Sequence, residues 1–489
     1  MTTREARRAA RRPWLAGLGA IVAALALVEV TSGILQGYYT PILTDIARHS
    51  GVHDADVNWL EAAQLMVSAL SVPILAKMGD LWGHKRILLV STLVTALASW
   101  GVAVAPSFAT LLVAWGLQGA YAVWLPLEVA IIYLTARRAG AVDAPADTRR
   151  AAGVLVFALE AGVIAGALAG GALVDVLPFG VVLALPAVAV TLCLLAIWLW
   201  VPSMPPTAAG KLDLGGIAWL TASLVALMAG LSLVRLVGVG SIWTWLLLLA
   251  AFGLLVPFVR HSLRVEEPLV DVRMLAAPAQ WPVQLTATLF GVSVLGAQVP
   301  LSTFARTDPS AVGYGLGLTA GTVSYIIGAY VLSLAIGALL LPVVSRLLSP
   351  RLALVVAAAF VAVGYLLFLP FHDTLVQTLT NMVVAGLGSG LLVAALPSAA
   401  AAAAPEARSG MATGLTNATK TVGGSIASAV FGVALFQGVS AAAVEAGQTA
   451  APLSGYLVVW TLCGVTAAIC ALVLLVGVPK DAFTRPAHA

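Results

Sequence analysis

From Trp14 onward the sequence keeps returning to unbroken apolar runs long enough to cross a lipid bilayer. Crossing ~30 Å of hydrocarbon takes about 20 residues of helix. Fourteen runs qualify: 14–45, 57–76, 86–105, 108–136, 150–174, 178–201, 214–235, 242–260, 281–304, 316–342, 352–371, 375–402, 410–437 and 453–478. In hydrocarbon every backbone N–H and C=O must find its partner within its own segment, so each run is forced to be helical. A water-soluble fold is excluded. Charge content agrees: 9% of residues are charged, where soluble domains carry roughly 25%. No loop between the runs is long enough to fold alone.

The basic residues sort by side. With a cytoplasmic N-terminus, 21 Lys and Arg fall on cytoplasmic segments, among them Lys77, Lys85, Arg86, Arg137, Arg138, Arg149 and Arg150. Only Arg48, Arg235 and Arg306 fall outside, and Lys420 lies within a span. This asymmetry predicts a multi-pass protein of the inner (plasma) membrane with both termini cytoplasmic. The start MTTREARRAARRPW is read as a topology anchor, since no small-residue cleavage site follows it. The net charge of +4 therefore reports orientation, and no aromatic-basic patch points to a nucleic acid.

The three cysteines lie inside spans, and Cys463 and Cys470 are ~10 Å apart along one helix, too far for a disulfide. The histidines fall in loops, at span ends or in the tail, so neither a metal site nor another cofactor is expected. The loops carry no catalytic constellation, and the chain is not expected to be an enzyme. It also lacks GxxxxGK[ST], so work must be drawn from a gradient rather than from its own ATP hydrolysis.

Glycines at 153, 162 and 171 in span 5 recur at 414, 423 and 432 in span 13, an offset of 261 residues each time. Two six-span halves in parallel orientation, spans 1–6 and 9–14, fit a repeat about an axis normal to the membrane. The expected architecture is all-α: an N-terminal six-helix bundle in 1–202, a linker with inserted helices 7 and 8 in 203–279, and a C-terminal six-helix bundle in 280–489.

After span 2 the chain reads AKMGDLWGHKRILL (Ala76 to Leu89), which resembles the signature between the second and third spans of the major facilitator superfamily. Asp80, Gly83, Lys85 and Arg86 match it, while Ala76 and Leu81 replace its first glycine and its arginine. The resemblance implies that Asp80 latches the inward side. KLDLGGIAWL (Lys211 to Leu220), EEPLVDVRML (Glu266 to Leu275) and TGLTNATKTVGG (Thr413 to Gly424) narrow the resemblance to the fourteen-span drug:proton antiporters. The fourth-span motif keeps Gln118 and Gly119 but has Trp115 in place of the arginine tied to proton coupling. The fifth-span motif keeps Gly162, Gly166, Gly170 and Gly171 but has Ala167 in place of its proline. In span 1, Glu29 and Thr31 match the family's acid and threonine, with Pro41 about a turn late.

An acid in the bilayer costs at least ~2.5 kcal/mol on insertion scales, so it faces a bundle interior or a wet cavity. Glu128 lies nine residues before Arg137, and Glu160 ten after Arg150. At 1.5 Å per residue both sit ~15 Å deep, near the midplane, as does Lys420. Glu29 falls nearer the outer half. Around span 5, Gly162, Gly166 and Gly170 form one stripe suited to close helix contact, and Glu160 points more than 90° away beside Gly171. Glu128, Glu160 and Glu29 are thus candidate proton carriers, although pairing with Lys420 would make either of the first two a structural pin. Gln36, Tyr38, Trp115, Gln118, Tyr121, Asn417 and Lys420 are candidate cavity-lining groups. Glu61, beside Trp59, is read as interfacial.

The resulting expectation is a monomeric, proton-coupled transporter, embedded in the lipid bilayer, that exports a small amphipathic or cationic compound by alternating access. Uptake by proton symport and a non-transport membrane sensor are the alternatives.

Overall fold

The computed structural model describes residues 3–140, 143–207, 211–404, 409–437, 439 and 449–478. Among them, thirteen helices are long and apolar enough to cross a membrane. In chain order, with one shorter helix included, they are α1 (Gly19–Ser50), α2 (Asn58–Trp82), α3 (His84–Ala103), α4 (Phe108–Arg138), α5 (Asp147–Leu173), α6 (Phe179–Trp200), α7 (Leu214–Val237), α8 (Ile242–Ser262), α9 (Trp281–Arg306), α10 (Ala320–Leu347), α11 (Pro350–Leu366), α12 (Leu375–Ala402), α13 (Ala412–Phe436) and α14 (Leu453–Gly477). The difference from a count of fourteen lies at α11. Its apolar run continues to residue 371, but the helix closes after 17 residues and the chain turns before Pro370. Of the basic residues sorted above, Arg408, Lys480 and Arg485 lie outside the described residues.

Local chemistry sets the helix ends. Ser107 and Thr110 form a reciprocal capping box at the start of α4, and Thr374 and Gln377 form one at α12, each satisfying N–H groups that the first turn leaves free. The turn from α2 to α3 needs Gly83, whose φ of 100° belongs to glycine and whose space is closed by the Met204 carbonyl 3.0 Å from where a Cβ would sit. Three long helices are not uniform. α1 breaks into a 3₁₀ turn at Thr40–Ile42, α4 carries one at Gly119–Val123, and α9 a π-helical turn at Val292–Gly296. Such interruptions survive at membrane depth where neighbouring helices enclose the backbone.

Packing divides the helices into two groups. In the first, α1 lies along α5 and α3 along α6, with α4 between α2 and α3; in the second, α12 lies against α10 and α11, α11 against α14, and α9 against α13. α2 meets α13, and α5 meets α10, where the groups join. α7 and α8 pack on each other, and α7 reaches α2 and α13. The two seams α1·α5 and α9·α13 are built alike. A Cβ on Gly162 would strike Val30 O, and one on Gly33 would strike Leu159 O. Likewise, a Cβ on Gly423 would strike Thr288 O, and one on Gly291 would strike Lys420 O. Gly166 and Gly170 extend the first seam against Ile34 and Tyr38, while Gly171, on another face of α5, lies against Ala320 and Ser324 of α10. With no Cβ in the way the backbones touch, and dispersion and main-chain contacts hold the pair where lipid offers no hydrophobic drive.

Candidate functional site

The two ends of the molecule differ. The end bearing Lys77, Lys85, Arg86, Arg137, Arg138, Arg149 and Arg150 is called here the basic end, and the opposite one the far end. At the far end the groups are hydrogen-bonded together. Arg306 of α9 holds both carboxylate oxygens of Asp45 of α1 at 2.8 and 2.9 Å. The Ser302 hydroxyl donates to Thr40 O at 2.5 Å, and Ser324 to Ala167 O at 2.8 Å. Ser425 donates to Ala62 O at 2.8 Å, and Asp54 N to Thr449 O at 3.0 Å. Arg235, at the end of α7, forks onto Asp56 at 3.1 and 3.2 Å and lies over the Phe436 ring. Asp54 sits in the α1–α2 turn with its carboxyl buried. Burial pushes its pKa up to about 7, against the opposing pull of Arg48 and Arg306.

At the basic end Asp80 is engaged by its helix neighbour and by the linker after α6. Its carboxylate faces His84 Nε2 at 3.2 Å and accepts from the Thr207 hydroxyl at 3.2 Å, while Thr207 N donates to Asp80 O at 2.9 Å. Lys85 donates to Trp198 O at 3.0 Å, and Arg86 is exposed. The segment after α6 thus occupies the predicted latch residue.

Between these ends lie the buried acids. Glu29 of α1 and Glu128 of α4 are 1% and 0% exposed, and they lie close enough to act on each other's charge. None of their four oxygens has a donor among the described residues. Leu25, Val28, Trp124, Leu127, Ile131 and Cys193 form the apolar shell of that core. Tyr121 lies within electrostatic reach of Glu29 and also of Glu61. Glu61 is half-buried, and its neighbour Ala62 is bonded to Ser425 of α13. The place of Glu61 near the span end is as expected, and its reach to Tyr121 of α4 adds a direction. Position along a span gives depth but not direction, and here the helix turns this acid toward protein.

Glu160 of α5 and Lys420 of α13 are half-buried and close enough to act on each other's charge. No ion pair within 4.0 Å joins them. Tyr330 of α10 lies within reach of Glu160, and it also lines a narrow cavity with Gly37, Val163, Gln298 and Met382, directly beneath the far-end contacts.

Several predicted lining groups are spent on packing in this conformation. Tyr38 donates to Val182 O at 2.9 Å, Trp115 Nε1 to Gln64 Oε1 at 2.9 Å, and Gln118 to Ser99 Oγ at 2.9 Å. All three are buried within the first group, where a membrane helix uses polar side chains to bind its neighbours. Gln36 is exposed and bonds to Ser32 one turn back. Asn417 is half-buried, and its carbonyl accepts from Thr421. Sequence reasoning missed Asp45, Asp54 and Asp56; the signal was present, since each stands near a span end on the side with few basic residues.

Two packed helix groups joined at the far end, with thirteen helices long and apolar enough to cross a bilayer, define a multi-pass membrane protein. The sequence profile of the Major Facilitator Superfamily matches residues 25–427, and the chain belongs to that family. An uncharacterized MFS-type transporter of Bacillus subtilis (strain 168), YwoD, is 34% identical over 95 residues, which is 18% of this chain and 21% of that relative. The chain thus matches about a fifth of that relative's length. Among solved structures, an auto-inhibited peptide transporter of the POT family aligns with a TM-score of 0.67 at 15% identity, covering 96% of this chain and 99% of that one. The nucleoside transporter NupG aligns at 0.63 and 14%, covering 94% and 98%. The human organic anion transporter MFSD10 aligns at 0.61 and 14%, covering 94% and 99%. At such identities these likenesses speak for the fold.

Proposed function

We propose that this chain is a proton-coupled secondary transporter that exports a small amphipathic or cationic compound by alternating access, as a fourteen-span drug:proton antiporter. In this reading α11 also spans, its 17 residues giving ~26 Å of helix. Residues 1–202 and 280–489 are the two rocking bundles, and 203–279 carries the inserted pair α7 and α8. In this reading the basic end, with its excess of Lys and Arg, faces the cytoplasm from the plasma membrane. With the far end closed and Asp80 bonded to His84 and the linker's Thr207 and not to the second bundle, the conformation is inward-facing. The chain acts as a monomer.

One observation carries the reading: the Glu29–Glu128 pair, buried and without a counter-charge. Two buried carboxylates that feel each other's charge at low dielectric are tolerated only when a proton or a cation is held with them. A site that must hold one or the other supports exchange of protons for a cation. Glu160, half-buried on α5, is the second acid in the cycle.

The test is substrate-driven proton flux in vesicles reconstituted with the full chain. Ethidium, aromatic amines and amino acids are loaded in turn, and lumenal pH is followed by a trapped dye. Acidification of the loaded lumen as the compound leaves is expected, and Glu29→Gln and Glu128→Gln are expected to abolish the coupling. Protons leaving together with the compound would replace export by symport, and normal coupling in both variants would remove the pair from the mechanism.

A further inference from the structure

We propose that a cavity at the basic end, lined by Arg137 and Arg138, holds a phosphate group, that of an anionic phospholipid or of a soluble phosphate. The site is separate from the buried acids and does not depend on what is transported.

The cavity, about 250 Å³, lies between the end of α4 and the segment that follows α6. α4 contributes Leu134, Arg137 and Arg138, and the segment contributes residues 204–207. There is room for far more than one water, whose share of liquid volume is ~30 Å³. The segment itself is held in place. Thr207 donates to Asp80 through its N–H at 2.9 Å and its hydroxyl at 3.2 Å, and Pro205 and Pro206 fix their own φ angles.

The guanidiniums bring positive charge that no neighbour answers. Among the described residues no carboxylate lines the cavity, and neither arginine forms an ion pair. Arg138 Nη1 reaches the Met204 sulfur at 3.2 Å, a weak acceptor. Arg137 lies over the Tyr133 ring at 5.8 Å, a contact made by the face of the guanidinium that leaves its N–H edge for an acceptor. Asp80 is not a lining residue and is engaged by His84. Two adjacent guanidiniums repel each other, and a phosphate accepting from both offsets that cost.

Depth favours a headgroup. Trp198 and Trp200, at the end of α6, are 62% and 60% exposed, as rings at a membrane interface are. The lining segment follows directly after them, at the level where phospholipid phosphates lie and where basic pockets take acidic headgroups. A phosphate bound there fastens the end of α4 to the segment that occupies Asp80.

The experiment titrates the full chain, in a neutral maltoside detergent, with dioctanoyl phosphatidylglycerol and with inorganic phosphate, and follows binding by thermophoresis. Arg137→Gln/Arg138→Gln is expected to lose about tenfold or more in affinity, as hydrogen bonds to a charged group imply. Arginines at a helix C-terminus also suit its dipole. The control is therefore Arg149→Gln/Arg150→Gln, which removes the same charge from the same end, outside the cavity, and should leave binding unchanged. Arginine-dependent binding of phosphatidylglycerol that excess inorganic phosphate does not displace identifies the lipid. Inorganic phosphate that binds, and is lost in the same double variant, identifies a soluble phosphate. Binding of neither, or an equal loss in the control, overturns the proposal.

Discussion

The far end and the basic end spend their charges differently. Far-end arginines are few, and each forms an ion pair: Arg306 and Arg48 with Asp45, Arg235 with Asp56. Arg306 and Arg235 each tie separate helical elements together, with side chains 12% and 17% exposed. Basic-end charges are many and mostly solvated; Lys77 meets a Glu267 side chain that is 58% exposed. The residues that depart from the topological bias are thus the ones that clamp the structure. A cation placed against the side preference is kept where a specific carboxylate holds it, whereas the abundant ones serve orientation.

The sharpest way to break this contrast is Arg306→Met, which strands Asp45 in a half-buried site. Removing one partner of a buried pair leaves an uncompensated charge, and on the order of 2 kcal/mol of the preference for a closed far end should be lost. Spin labels at Ala109 and Ser310, exposed at the far ends of the two groups, should show a longer distance become dominant. An unchanged distance distribution would mean that the clamp does not hold the far end.

A second, smaller effect follows from Asp54. Its pKa in the closed end is about 7 because of burial, against an ordinary value of ~4 in water. The closed form therefore binds the proton more tightly than a solvated open form. Closure is strongest at low pH, weakens as pH rises from about 4 to about 7, and is flat above that. Between pH 5 and pH 6 the open-to-closed ratio should rise about ninefold, read by the same labels. Asp54→Asn, neutral throughout, should stay closed at both. A pH response surviving in that variant would assign it to another group.

Much of the architecture was legible because hydropathy acts residue by residue along the chain. Runs of apolar residues become helices wherever they fall, and thirteen of the expected spans are helices of crossing length. Glycine spacing shows a stripe on α5, but its occupant, α1, is chosen by the fold. The site was less legible, for the same reason. Glu29 and Glu128 are 99 positions apart in the sequence, and nothing local reveals that the fold brings them into one buried core. Tyr38, Trp115 and Gln118 carry the chemistry of a lining group, but only the neighbours at Val182, Gln64 and Ser99 reveal where that chemistry is spent. Glu61 shows the limit plainly, since a residue near a span end can still face inward.

Arg235 sharpens the comparison further, because it brings the α7–α8 pair into the far-end clamp. Its fork onto Asp56 is partly exposed, and its guanidinium also stacks on Phe436. Arg235→Lys keeps the charge and loses the planar fork. The expected cost is about 1 kcal/mol, seen as a partial opening between the same labels. A loss as large as that from Arg306→Met would make the inserted pair a main clamp instead of a secondary one.

The smallest effect should come from the basic end. Lys77 and Glu267 are 2.6 Å apart but 30% and 58% exposed, and such pairs contribute about 0–1 kcal/mol, less in salt. Water already solvates both groups, so Lys77→Gln exchanges one solvated contact for another. The label distances at both ends, and their salt dependence at physiological ionic strength, should not move measurably. If Lys77→Gln shifted the bundles as Arg306→Met does, short distance alone would be what clamps this fold, and the distinction between an enclosed pair and a solvated one would fail.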